Sequence, residues 1–175
     1  MKKKNRDKEN LDFYCDHNPE EIFESEKMGI SFAKCSICKK MLIFTKQREW
    51  RDFTYISGVD PKYSLIKAIE FGDSRESKEV CSKLPYYALM YSLVVLKGAE
   101  DEIVKRAVLR EPEFSFLYAL FIKRKEDSEL EKVINKDPRY KKMYNTLFKG
   151  KGEIKDIRAI LLGSLSIDQR NQEDT

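Results

Sequence analysis

The stretch Pro112-Glu113-Phe114-Ser115-Phe116-Leu117-Tyr118-Ala119 holds the pattern that decides how this chain is built. A proline opens it, an aromatic follows two residues on, and a tyrosine stands four residues after that. The same phrase recurs as Pro85-Tyr87-Tyr91 and Pro138-Tyr140-Tyr144. A weaker copy starts at Pro61-Tyr63 and continues as Lys67-Ala68. The prolines are 24, 27 and 26 residues apart. A fixed period of that size marks stacked supersecondary units, none of which can cover its own apolar face without a neighbour. Such a stack offers an extended surface to a partner and seldom supplies catalytic machinery.

Each unit reads as two short helices. Asp60, Glu111 and Asp137 precede their prolines, whereas Leu84 departs from the pattern. Proline suits the first helical position, where no amide donor is needed, and an acid beside it complements the helix N-terminus. The aromatic and the tyrosine then lie four apart on one face, with Leu65 and Ile69, Leu89 and Leu93, and Phe116 and Leu120 filling out the stripe. After a polar linker, a second helix opens at Glu102-Ile103, Glu129-Leu130 and Glu153-Ile154, and the units close on Val80-Cys81, Ala107-Val108 and Val133-Ile134. Cys81 thus fills an aliphatic slot and reads as a buried small hydrophobe rather than a nucleophile. Aligned aromatics can stack bases or grip a peptide, but a stripe spaced four apart is what a buried helix face requires. Tyr87, Tyr91, Phe114, Tyr118, Tyr140 and Tyr144 are therefore predicted to be largely buried between units. The apolar segment Ile154–Leu165 is predicted to cap the stack, and Ser166–Thr175 to be a polar tail.

The second signal is Cys15-Asp16-His17 followed by Cys35-Ser36-Ile37-Cys38, two ligand pairs with 17 residues between them. Tetrahedral zinc takes four soft or borderline donors, and a tight turn can deliver two from one backbone segment. The set uses the single His of the chain and three of its four Cys. Alternation at Leu11, Phe13 and Cys15, and again at Ile30 and Phe32, followed by the run Met41-Leu42-Ile43-Phe44, is strand-like and resembles the hairpins of a zinc ribbon. Cys-x-His stands where many ribbons have Cys-x-x-Cys. Scattered thiols with a surface His are the plain alternative. A redox Cys-x-x-Cys usually opens a helix in a βαβ setting, whereas here Lys39 and Lys40 lead into a strand-like run. Catalytic zinc needs an open coordination position, and no His-Glu-x-x-His occurs. The reading is a closed structural site for Zn2+ held by Cys15, His17, Cys35 and Cys38. Lys46–Ser57 is predicted to be a short amphipathic helix docked by Trp50, Phe53 and Tyr55 or Ile56, with Trp50 as a packing anchor.

Charge bounds the partners. Residues 1–10 carry a net +3, residues 11–57 a net −1 and residues 58–175 a net +2. The body is close to balanced, and a dedicated duplex binder concentrates more positive charge than this. Residues 12–26 hold six acids and no base, while Lys34, Lys39, Lys40, Lys46, Arg48 and Arg51 face only Glu49 and Asp52 within residues 34–52. Neutralisation across the module is expected ahead of a nucleic-acid site. No run approaches the roughly 20 apolar residues of a membrane span, and no apolar stretch follows Met1-Lys2-Lys3-Lys4. The expectation is a cytoplasmic protein without membrane association, in the host cytoplasm if viral. No Gly-rich phosphate loop and no Ser/His or Cys/His pair outside the ligand set is present, so an enzyme is not expected.

The phrase Pro-x-aromatic-x-x-x-Tyr, a short linker and a Glu-led helix ending in Asp/Glu-Pro together resemble short two-helix repeats common in bacteriophage proteins. In these, Pro-Glu-Tyr-Ala-Tyr-x-Tyr-Ala recurs at similar spacing, and Pro112–Ala119 is the best match here. The resemblance covers about residues 60–150, weakens in the first and last units, and implies an α-repeat of viral origin with no catalytic residues to transfer. The sequence thus predicts a mainly α chain: stacked short α-helical hairpin repeats with a small N-terminal zinc-ribbon-like β module. Its parts are a basic tail (1–10), the zinc module with a linking helix (11–57), the repeat body (58–165) and a polar tail (166–175). The expected function is protein interaction that modulates a host or viral protein. The alternative is a transcription or RNA/DNA-binding factor that uses the basic knuckle and the Lys-rich tail.

Overall fold

A computed structural model describes residues 15–150. The two tails, Leu11 and Phe13, and the segment Ile154–Leu165 lie outside the described residues. The architecture is mainly α, with a four-stranded antiparallel sheet at the N-terminal end. The chain divides into two compact units between Val80 and Cys81.

The first unit is built on β1 (Pro19–Glu24), β2 (Ser31–Cys35), β3 (Met41–Phe44) and β4 (Trp50–Asp52), paired in chain order. Side chains alternate across a strand, so neighbouring residues of β2 serve opposite faces. Phe32 pairs with Ile43, and both join Phe53 in one buried cluster with Tyr63 and Ile66 packed against it. Ala33 pairs with Leu42, and both join Cys35 in a second cluster against Cys15, Cys38 and Trp50. A register shift between Glu20 and Phe23, with Glu21 at φ 50°, bends β1.

The stretch expected to be one helix over Lys46–Ser57 is a turn, a strand and a helix. The Thr45 amide donates to the Glu49 carbonyl at 2.9 Å, β4 follows, and α1 (Phe53–Val59) starts only at Phe53. Pairing with β3 satisfies backbone groups that would otherwise edge the sheet. Asp52 sets the helix start by accepting the Tyr55 amide at 3.0 Å. α2 (Pro61–Phe71) opens with Pro61 at its first turn, and Asp60 accepts the Lys62 amide at 2.8 Å. α3 (Arg75–Cys81) follows.

The expected boundary between residues 57 and 58 therefore differs from the observed one. Residues assigned from sequence to the first repeat pack on the sheet: Phe71 meets the Phe32 ring at 5.9 Å between centroids. Ser25 Oγ donates to Glu70 Oε2 at 2.6 Å, and Lys27 Nζ donates to the carbonyls of Ile69 and Glu70 at 3.2 and 3.1 Å. An ammonium on the last carbonyls of a helix meets the negative end of its dipole.

The second unit contains α4 (Pro85–Met90), α5 (Glu102–Val108), α6 (Pro112–Tyr118), α7 (Ser128–Ile134) and α8 (Pro138–Lys149). π-helical turns extend α4 over Tyr91–Val95 and α6 over Ala119–Lys123, and the amides of Leu96 and Arg124 reach back five residues to Tyr91 and Ala119. Each of these prolines is followed twelve residues later by a left-handed residue, at Lys97, Arg124 and Gly150. The core gathers Ala88, Val104, Val108, Phe116, Leu130, Ile134 and Met143.

Tyr91, Tyr118 and Tyr144 are at most 1% exposed, whereas Tyr87, Phe114 and Tyr140 are half-buried. The Tyr118 hydroxyl accepts the Asp101 amide at 3.3 Å, and the Tyr144 hydroxyl accepts the Asp127 amide at 3.0 Å. Asp101 caps α5 and Asp127 caps α7, so each tyrosine ties its own helix to the start of the helix before it. A buried Tyr needs such a partner for its hydroxyl. Among the described residues no helix is long and apolar enough to cross a membrane.

Candidate metal centre

Cys35 ends β2, and the turn after it is set by backbone bonds. Its amide donates to the Lys40 carbonyl at 2.9 Å, and its carbonyl accepts the Lys39 amide at 3.0 Å. Lys39 takes a left-handed φ of 62° to close the turn. The loop brings the Cys38 amide to 3.5 Å from the Cys35 sulfur, a contact that favours the thiolate over the thiol. The first pair is held against this turn because the Asn18 carbonyl accepts from the Ser36 amide at 2.9 Å and from its hydroxyl at 3.3 Å.

All four residues read from the sequence meet in one place. The donor atoms of Cys15, His17, Cys35 and Cys38 lie within 4.8 Å of one another and could hold a metal ion. Cys15 Sγ is 3.6 Å from Cys35 Sγ, and Cys38 Sγ is 3.6 Å from His17 Nδ1. A disulfide would require a sulfur separation of about 2.05 Å, and the cysteines are free thiols. Cys81, buried in α3, is not in the group.

The electrostatics suit a cation. Burial disfavours the Cys35 thiolate, but the Cys38 amide, the His17 ring and the Ile37 amide outweigh it and lower the thiol to about 6. Burial, with the neighbouring Cys35 and Cys15 sulfurs, pushes Cys38 up to about 11. Two thiolates side by side repel each other, and a bound cation would relieve that repulsion. The sheet supplies a dry wall: Ala33, Cys35 and Leu42 are at most 1% exposed, and Trp50 packs against them. Sequence reasoning placed Trp50 at a helix junction and missed this role. Its cross-strand pairing with Phe44, ring to ring at 5.2 Å, is where the signal lay.

The basic residues around the knuckle have acidic partners. Lys39 meets Glu20 at 3.7 Å, Lys40 meets Asp52 at 3.2 Å, and Arg51 pairs with Glu49. The Lys39–Glu20 pair joins an acid before the knuckle to a base after it, whereas Lys40 and Arg51 pair with acids that follow the knuckle. No family model, no curated protein and no solved structure matches the chain.

Proposed function

We propose that this chain is a zinc-stabilised α-repeat module for protein interaction, in which the metal is a folding staple. The observation that carries the reading is the convergence of three sulfurs and one imidazole. Two sulfurs about 2.3 Å from a tetrahedral zinc stand roughly 3.8 Å apart, and a sulfur and an imidazole nitrogen roughly 3.6 Å apart. The 3.6 Å separations of Cys15 from Cys35 and of Cys38 from His17 fit those edges. Four protein donors complete the coordination and leave no position for substrate, so we assign the site no catalytic step. The resemblance to bacteriophage repeats extends this reading to modulation of a host or viral protein.

The repeat reading is supported by equivalences that spacing alone does not guarantee. Tyr91, Tyr118 and Tyr144 are buried alike. Two tyrosine hydroxyls accept from the capping residue of the preceding helix, and the left-handed residue recurs at one position. The nucleic-acid alternative ranks below because Lys39, Lys40 and Arg51 already engage carboxylates, which leaves fewer cations for phosphates. Metal analysis of the purified protein tests the zinc reading. The expected result is one zinc per chain, lost in Cys35→Ser/Cys38→Ser; metal-free wild type, or full zinc in the double variant, would end the proposal.

A further inference from the structure

We infer that the hairpin between β3 and β4 is a docking site for a short acidic segment of a partner protein, one that carries an aromatic or aliphatic anchor; this rests on the reading of the chain as an interaction protein. The first observation is an aromatic pair. Phe44 ends β3 and Trp50 opens β4 directly opposite it, with ring centroids 5.2 Å apart and ring planes tilted by 51°. Trp50 is half-buried and packs against Ala33, Cys35 and Leu42, so the sheet holds it in place. Phe44 is 40% exposed and belongs to neither core cluster of the first unit. A single exposed apolar residue is ordinary. A ring that the core leaves unused, seated on one that the core fixes, is apolar surface already ordered for binding.

The second observation is the charge of the loop that joins the two rings. The Thr45 amide donates to the Glu49 carbonyl at 2.9 Å and the Arg48 amide to the Thr45 carbonyl at 3.0 Å, with Arg48 at a left-handed φ of 61°. This closed turn places Lys46 two residues after Phe44 and Arg48 two residues before Trp50. Both cations are exposed, and neither forms a salt bridge among the described residues, in contrast to Lys39, Lys40 and Arg51. The one acid of the loop, Glu49, is held by Arg51. Glu24 and Glu26 stand at the same end of the sheet but belong to β1 and the turn after it, two strand spacings or about 10 Å away. The tip of the hairpin is therefore locally cationic.

Together these observations select the occupant. Aromatic residues and Arg are the types that dominate binding hot spots, and two cations without carboxylates call for an anionic partner. A single nucleic-acid strand needs a positive groove that tracks its phosphates beside the stacking rings. The bases that would continue such a track, Lys39, Lys40 and Arg51, are engaged by Glu20, Asp52 and Glu49. The tilted rings, 5.2 Å apart, also leave no slot for a base between them. A peptide needs no track. Its apolar anchor covers Phe44, and carboxylates on either side accept charge-assisted hydrogen bonds from Lys46 and Arg48.

Panning a library of short random peptides against the full chain tests this. The expected consensus sets an aromatic or aliphatic residue among Asp and Glu. Trp50 is the only tryptophan of the chain, so a consensus peptide without tryptophan should change the protein's tryptophan emission as it binds. Phe44→Ser and Lys46→Glu/Arg48→Glu should each bind a labelled copy at least about tenfold more weakly than wild type, a change of about 1.4 kcal/mol. Circular dichroism and metal content of each variant check that the fold is kept. A consensus without acids, an emission that does not move, or no selected peptide would overturn the inference. An oligothymidylate that binds wild type and is lost in both variants, with no acidic peptide selected, would make the occupant a nucleic acid. A wild-type dimer that Phe44→Ser dissociates would make it a second copy. Acidic peptides that keep their affinity for either variant would remove this surface while leaving an interaction function standing elsewhere in the chain.

Discussion

At the scale of single residues, Asp127 does the most work in the second unit. Its carboxylate accepts the amides of Glu129 and Leu130 at 3.0 and 3.1 Å and receives Lys105 Nζ at 3.0 Å. Its own amide donates to Tyr144. Burial raises its pKa, but the Leu130 amide and the Lys105 ammonium outweigh that and hold the carboxyl below its ordinary value. The unfolded chain titrates near 3.9, so this stabilisation is complete above that pH and is lost as pH falls through the lower folded value. Asparagine keeps the cap and removes the charge. The urea midpoint of Asp127→Asn should therefore lie below that of wild type at pH 6, and the gap should close as acidification protonates Asp127 in the folded chain. A constant gap would mean that the charge contributes nothing. Tyr144→Phe, which leaves the buried Asp127 amide without its acceptor, should cost about 1 kcal/mol by urea unfolding.

At the scale of elements, the helix ends are where sequence and structure can be compared position by position. Asp60 and Asp137 were legible as caps because they precede prolines, and both accept the amide two residues on. Glu111 makes no side-chain cap bond; its extra methylene carries the carboxylate past the amides that Asp reaches. Asp101 and Asp127 lack the following proline that marks the other caps, yet they are the residues that cap. Left-handed ends are a second shared device. Gly150 meets that conformation without a steric cost, whereas Lys97 holds φ 53° with a side chain. Lys97→Gly should thus raise stability by about 0.5 kcal/mol, since relief of left-handed strain exceeds the added chain entropy. Gly150→Ala should lower it by about 1 kcal/mol. Thermal unfolding followed at a single ellipticity wavelength would distinguish the two signs.

At the scale of the whole molecule, the shared core of sheet and helices changes what metal removal should do. Phe32, Ile43 and Phe53 bury against Ile56, Tyr63 and Ile66, so α1 and α2 depend on β2 and β3, the strands that flank the Cys35–Cys38 turn. Binding energy at a structural metal site is folding energy. Chelation should therefore speed amide exchange across residues 15–71 and leave residues 85–149 protected, with partial loss of helical ellipticity. Exchange read by mass spectrometry would test this. Loosening that stopped at residue 52 would show α1 and α2 to be independent of the sheet, and uniform loosening to residue 149 would show one cooperative body.

The sequence by itself determined which four Cys and His residues come together, the mainly α class and the proline-led helix starts. Each of these is written in local chemistry: donor types at short spacing, a fixed φ, apolar residues four apart. It predicted Tyr87, Tyr91, Phe114, Tyr118, Tyr140 and Tyr144 all to be largely buried; the second of each pair is fully buried, and the first is only half-buried. What only the tertiary structure decided were the features that depend on contacts between distant segments. The helical pattern of Lys46–Ser57 yielded to β3, whose edge needed a partner. Pro61–Phe71 carries the repeat phrase yet packs on the sheet, because Tyr63 and Ile66 meet Phe32 and Ile43 there. The strand Pro19–Glu24 was read only as an acidic stretch: five of its six residues are exposed, so no apolar alternation marked it. Its hydrogen bonds to β2, not its side chains, make it a strand. Periodicity reports which face of a segment is buried. The identity of the neighbour that buries it is decided by shape and backbone pairing across the fold, and those appear only once the chain is closed on itself.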